Sequence, residues 1–190
     1  MRKEYAVLAY FDFETEVKLK QFWRELYELG ITDYGVIPKN RRPHITLADY
    51  QDIDVEKLSL MIEQYFTHQA QVTIQLNTLG SFIGRKMLYL APTMTKELLD
   101  LHGNYHEAFE QFNQNPNSYY LPQRWVPHCS VAGHLTEETL LQAFEYCQKN
   151  ISCIQATIME IGLVEVFFNE AGSVVKERLI LSKTLKVSNK

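Results

Sequence analysis

Two six-residue stretches carry the side chains best suited to chemistry: Pro43-His44-Ile45-Thr46-Leu47-Ala48 and Pro127-His128-Cys129-Ser130-Val131-Ala132. Each sets an imidazole two residues before a hydroxyl, in a run that is otherwise apolar. On a β-strand, residues i and i+2 project from the same face. His44 therefore points with Thr46, and His128 with Ser130, while Ile45 and Leu47 turn toward the core. A bare His-x-Thr/Ser is weak evidence, and one such histidine reads equally well as a core residue bonded to its neighbour. The second copy changes the balance, because only the residue after each histidine differs in kind. Two imidazoles and two hydroxyls around one point suit phosphoryl transfer without a metal. One neutral ring takes a proton from the nucleophile while the other, protonated, gives one to the leaving oxygen. The hydroxyls would hold the non-bridging oxygens as charge develops.

Basic and aromatic residues cluster near these motifs. Arg42 precedes the first histidine, Arg85 lies mid-chain and Arg124 precedes the second. Arg42 and Arg85 are candidate phosphate contacts, although such charges also serve solubility. Phe82, Tyr119, Tyr120 and Trp125 are candidate stacking surfaces for a base, and each reads equally as core material. Tyr119 and Tyr120 are the stronger pair because they sit in the polar loop "NQNPNSYYLPQR" that leads to the second motif.

Elements must hold the two motifs face to face. Tyr5–Phe11 reads as a buried strand. Val17, Leu19, Phe22, Trp23, Leu26 and Leu29 recur at helical spacing up to a stop at Gly30. After the first motif, Asp54 can cap a helix through Leu58, Met61, Ile62 and Tyr65. A strand over 71–79 alternates polar and apolar residues, Gly80 and Gly84 bound a turn, and 86–90 is a further short strand. The second half repeats this order. A helix over about 95–112 carries Leu98, Leu101, Tyr105, Phe109 and Phe112. The second motif follows, then a helix capped by Thr136 through Leu140, Leu141, Phe144 and Cys147, and then strands over 153–168 and 174–185. The histidines are 84 residues apart and the two helix caps 82. That near-constant offset points to an internal duplication, with two lobes related by a pseudo-twofold axis.

On these residues the chain resembles the two-histidine (2H) phosphoesterase superfamily, whose bacterial and archaeal members are often called 2′-5′ RNA ligases. "HITL", "HCSV", the opening "YAVLAYFD" and "LGSFIGRKMLYLAP" carry the likeness over most of the chain. The resemblance implies one bilobal α+β domain over 1–190, with two antiparallel sheets lining a central cleft and helices packed outside. It further implies hydrolysis or reversible transfer at 2′,3′-cyclic or 2′,5′-linked phosphates of nucleotides or RNA ends. His44, Thr46, His128 and Ser130 fall on the catalytic motifs. There are two departures. Ser130 stands where threonine is commonest, which keeps the hydroxyl. Gly133 and His134 stand where many members close the motif with an arginine, which leaves the customary RNA-end substrate open.

Other chemistries are weaker. His102 and His106 have an i, i+4 metal-ligand spacing but lack the intervening glutamate and a third ligand, so no metal is expected. No GxxxxGK[ST] loop and no K-x-D-G ligase motif is present. No cofactor is therefore expected, and hydrolysis is the favoured direction. A net charge of -4 and a pI near 5.9 argue against an extensive non-specific grip on nucleic acid. Cys129, Cys147 and Cys153 form no CxxC pair and read as free thiols of a reducing compartment. The apolar run at the start is short and lacks a cleavage site, and nothing approaches the roughly 18 apolar residues of a membrane span. A cytoplasmic monomer is expected. A non-catalytic nucleotide- or RNA-binding protein on the same fold is the alternative.

Overall fold

In the computed structural model, residues 2–187 are described. Four helices and seven strands follow one another as β1 (Arg2–Phe11), α1 (Phe13–Glu28), β2 (His44–Tyr50), α2 (Val55–Tyr65), β3 (Val72–Gly80), β4 (Leu88–Pro92), α3 (Lys96–Ala108), β5 (Cys129–Ala132), α4 (Glu137–Asn150), β6 (Ile154–Phe168) and β7 (Val174–Thr184). Each helix starts at a side chain that accepts from an otherwise orphaned backbone N–H: Asp12 from Thr15, Asp54 from Lys57, Thr95 from Leu98 and Thr136 from Thr139. A cap of this kind contributes about 1 kcal/mol. Gly30, at φ 70°, turns the chain away after α1, a conformation that costs glycine little.

The strands order as β2-β1-β6-β3-β4-β5, with β7 beside β6, and every ladder is antiparallel. Read from either edge, this order is histidine strand, partner strand, central strand. The two central strands meet where Val72 pairs with Ile158 and Leu76 with Ile154, as a duplicated unit requires. Both antiparallel halves are present, joined into one hydrogen-bonded sheet. β6 joins them because it is 15 residues long: its first part pairs β3, and the remainder pairs β1 on one side and β7 on the other.

The helices cover one face of this sheet. Val7, Ala9, Ile45, Leu47, Val131 and Ile158 pack there with Leu19 and Leu26 of α1, Ile62 of α2, Leu98 and Tyr105 of α3, and Ala143 of α4. Alternation sends Ala6, Leu8, Tyr10 and Val164 to the opposite face, as a smaller cluster. Periodicity overreached at four positions: Val17, Leu29, Leu141 and Phe144 are exposed. Val17 and Leu141 fall on the solvent faces of α1 and α4, Leu29 is the C-cap just past α1, and Phe144 lies beside the buried stripe of α4. The helix expected over 95–112 ends at Ala108 and continues as a single 3-10 turn, 110–112, and Phe109 and Phe112 are still buried.

Candidate active site

β2 and β5 are the two ends of the β2-β1-β6-β3-β4-β5 path, and they curl toward each other. Ile45, Leu47, Cys129 and Val131 are buried in the core. His44, Thr46, His128 and Ser130 are half-exposed and line one cleft of about 670 Å³, within the range of small-molecule sites.

The two imidazoles are held alike. His44 Nδ1 lies 2.6 Å from the Arg42 carbonyl, and His128 Nδ1 lies 2.7 Å from the Val126 carbonyl. A carbonyl only accepts, so Nδ1 carries the proton in both rings. Each Nε2 is left without a bond to another described residue, ready to accept when neutral or donate when charged. Burial pulls the His44 pKa below the ordinary imidazole value. Glu177 and the Arg42 carbonyl oppose that, and the Arg41 and Arg42 charges add to it. Burial likewise lowers His128, against the Val126 carbonyl and with the His44 charge. Phe82 and Tyr89 wall His128, with ring centroids at 4.9 and 5.2 Å. Tyr10 meets His44 edge-on at 6.2 Å.

Two tryptophans hold these motifs in place. As edge strands, β2 and β5 each leave backbone carbonyls without a ladder partner, a cost if buried. Trp125 Nε1–H donates to the Thr46 carbonyl at 2.9 Å, and Trp23 Nε1–H donates to the Ser130 carbonyl at 3.2 Å. Each indole fills the place that a neighbouring strand would take, so the residue bearing each hydroxyl is fixed from behind. Trp125 is in turn stacked on His102, with centroids 3.8 Å apart and rings within 1° of parallel. Trp23 packs tightly enough that a Cβ on Gly35 would come 2.0 Å from its ring.

Eight of the ten residues singled out from the sequence come together: His44, Thr46, His128, Ser130, Phe82, Arg85, Tyr119 and Tyr120 all line the cleft. Tyr119 is exposed beneath the Arg85 guanidinium. Burial pushes the Tyr120 phenol up to about 12.

Arg42 and Trp125 are elsewhere. Arg42 turns away to bond Glu16 and Glu160 and lies 3.8 Å over the Tyr10 ring. Residues 41–43 pair with no strand, and Asn40 sits at φ 65°, so the alternation that governs β2 does not reach Arg42. Its neighbour Arg41 enters the cleft wall instead. Trp125 lies outside the cleft lining, with one ring face stacked on His102 and its N–H given to the Thr46 carbonyl, and so serves as a strut. The paired histidines of α3 are also committed: His102 Nε2 to the Tyr120 carbonyl, His106 Nε2 to the Leu47 carbonyl and His106 Nδ1 to Asn113.

Sequence reasoning passed over Tyr34, Tyr89, Arg41 and Glu177 as cleft residues. Tyr34 had one sign, the unexpected Gly133: a Cβ there would come 2.6 Å from the Tyr34 ring. Glu177 gave none.

A family model described as the 2′-5′ RNA ligase superfamily matches residues 17–166. Among solved structures, Escherichia coli LigT complexed with 3′-AMP aligns at 13% identity over 97% of this chain and 99% of its own, with a TM-score of 0.62. A protein titled only as a phosphoesterase aligns at 11% identity over 97% and 99%, TM-score 0.62. TT0787 of Thermus thermophilus aligns at 12% identity over 96% and 97%, TM-score 0.60. LigT has also been solved with NADP+, ATP and phosphate. No curated protein sequence matches significantly. Among the described residues, no helix is long and apolar enough to cross a membrane.

Proposed function

This chain belongs to the 2′-5′ RNA ligase superfamily, and from that premise we propose that it is a metal-independent phosphodiesterase acting on 2′,3′-cyclic or 2′,5′-linked phosphates of nucleotides or RNA ends. In this reading it works as a single bilobal domain, with His44 and His128 as a complementary acid and base. One observation carries the reading. Two imidazoles on opposite edge strands, each with Nδ1–H tied to the carbonyl two residues back, leave both Nε2 atoms free on one cleft. A single structural histidine needs no such arrangement, and two copies of it provide one site to take a proton and one to give it. With both rings held below their ordinary pKa, the resting pair is neutral near pH 7. Productive binding then brings in one proton, favoured by the negative charge of the phosphate.

Thr46 and Ser130 are the donors to the non-bridging oxygens. Phe82 and Tyr119 are stacking surfaces for the base of an adjoining nucleotide in a 2′,5′-linked or RNA-end substrate, and Arg85 meets the anionic backbone or end group. Binding of 3′-AMP and phosphate by LigT supports a nucleotide phosphate as the substrate class.

The test is a panel of 2′,3′-cyclic mononucleotides, cyclic-phosphate-ended oligonucleotides and 2′,5′-linked dinucleotides, assayed with EDTA present. Turnover of at least one is expected. Binding without turnover across the panel overturns the reading in favour of a non-catalytic binding protein. Turnover that EDTA abolishes overturns the metal-independent mechanism.

A further inference from the structure

The cleft does not end at the histidines. It continues over an apolar floor on the open face of the sheet, formed by Ala6, Leu8 and Val166. The wall above this floor carries an ion pair, Arg41 and Glu177, which are 9% and 4% exposed. Arg41 Nε donates to Glu177 Oε1 at 2.8 Å, and Arg41 Nη1 donates to the Tyr34 carbonyl at 3.0 Å, with the guanidinium 4.5 Å over the Tyr34 ring. The Glu177 backbone is clipped to the same loop, its N–H to the Lys39 carbonyl and its carbonyl to the Asn40 amide. The pair is therefore fixed from both sides.

Two of its polar atoms are left over. Glu177 Oε2 is out of contact with solvent and has no hydrogen-bond partner among the described residues. Arg41 Nη2 donates to none of them either. A buried carboxylate oxygen without a donor is costly, and charged groups are rarely left so unless something else completes them. Both residues line the cleft, so a turn of the two side-chain ends toward an occupant of the cleft would complete both atoms at once.

We propose that Arg41 and Glu177 read the edge of an amino-bearing nucleobase, whose ring lies over Ala6, Leu8 and Val166. The guanidinium N–H donates to a ring acceptor, and Glu177 Oε2 accepts from the adjacent amino group. Other occupants fit less well. An alkyl chain would suit the floor but leave both polar atoms unpaired. A second phosphate would meet Arg41 and be repelled by Glu177. A flat group with an acceptor beside an N–H donor satisfies floor, cation and carboxylate together, and the amino-bearing edges of adenine and cytosine have that pattern. This inference rests on the phosphodiesterase reading for the rest of the substrate.

The experiment compares kcat/KM of the full-length protein on matched pairs of 2′,3′-cyclic nucleotides that differ only in the amino group: adenosine against purine riboside, and cytidine against its 4-deamino analogue. A preference of roughly ten- to hundredfold for the amino-bearing member of at least one pair is expected, the value of one buried hydrogen bond to a charged group. In Glu177→Gln the carboxylate acceptor is replaced by an amide, and the preference should fall below about twofold. Because this readout is a ratio, a partly folded variant does not distort it. Equal values within both pairs for the wild type overturn the proposal, as does a Glu177→Gln protein that keeps the full preference. Should no cyclic phosphate be turned over, which is the failure of the reaction reading, calorimetric titration with the matching 3′-monophosphates measures the same ratio as Kd. Equal Kd values then overturn this inference independently.

Discussion

Replacing Trp125 by phenylalanine separates holding a motif in place from merely filling space behind it. The phenyl ring keeps a flat surface against His102, now stacked at 3.8 Å, and removes, with part of the indole, the N–H that donates to the Thr46 carbonyl at 2.9 Å. One such bond contributes about 1 kcal/mol, and in a domain of this size that lowers Tm by about 2–4 °C. Against a total stability of roughly 5–15 kcal/mol, the variant remains almost wholly folded at 25 °C, so loss of folded protein cannot reduce its rate measurably. The released carbonyl belongs to the residue whose hydroxyl faces the substrate, and a displacement of about 1 Å at such a group costs up to roughly 10²-fold. We therefore expect Trp125→Phe to lose about tenfold in kcat on whichever substrate the panel identifies, with KM within about twofold. Trp23→Phe, which frees the Ser130 carbonyl, should behave the same way. Steady-state kinetics beside a thermal melt decide the matter. A lowered Tm with wild-type kcat in both variants would show that the indoles stabilise the edges without positioning the hydroxyls.

Thr46→Ala and Ser130→Ala should each reduce kcat/KM by roughly 10²-fold, the scale of one transition-state donor, and wild-type kinetics in either would remove that residue from the site. Arg42→Met should lower stability by about 1–3 kcal/mol while leaving KM near its wild-type value, because its bonds go to Glu16 and Glu160 outside the cleft; a large KM effect with unchanged Tm would refute this. The Arg42 bond also holds the Glu160 carboxyl below its usual pKa, so this stabilisation is present above the ordinary glutamate value and fades as pH falls through the folded one. His102 adds to the acid side: burial lowers it to about 4, so the unfolded chain takes up its proton first, and stability should fall from about pH 6.5 downward by about 1.4 kcal/mol per pH unit. Urea midpoints for His102→Phe should show a shallower slope between pH 4 and 7, and an unchanged slope would assign the acid loss to other groups.

Much of the fold was legible because local chemistry and tertiary demand agree. The caps Asp54 and Thr136 stand where the helices begin, and alternation in the first motif correctly sends Ile45 and Leu47 inward. The near repeat of histidine and cap spacing corresponds to a strand order that reads alike from both edges. What escaped depends on contacts distant in sequence or on backbone that is not a strand. Arg41 and Arg42 are indistinguishable as letters, and the left-handed Asn40 with the unpaired stretch after it decides which one enters the cleft. Glu177 sits on an otherwise solvated strand and meets Arg41 across 136 residues, so its sequence context reads as surface charge. Trp125 looked like a stacking platform because aromatic rings near a motif suggest one. Its role comes from an edge-strand carbonyl that no pattern in the chain reveals. Nor does the apolar run over 153–168 announce that one strand will serve both halves of the sheet.

The most direct test of the account is the pH dependence of kcat/KM for the wild type, His44→Ala, His128→Ala and the double variant on one cyclic-phosphate substrate with EDTA present. One ring must be neutral and the other charged, so the wild-type profile should be bell-shaped. Both rings lie below the ordinary imidazole value of 6.5 in the free protein, so its maximum should fall on the acid side of that value. The two limbs belong to the coupled pair. Each single variant should lose one limb and about 10²- to 10⁴-fold in rate, and the double variant should lose far less than the product of the two. A flat wild-type profile, together with a fully active His44→Ala or His128→Ala protein, would contradict the account.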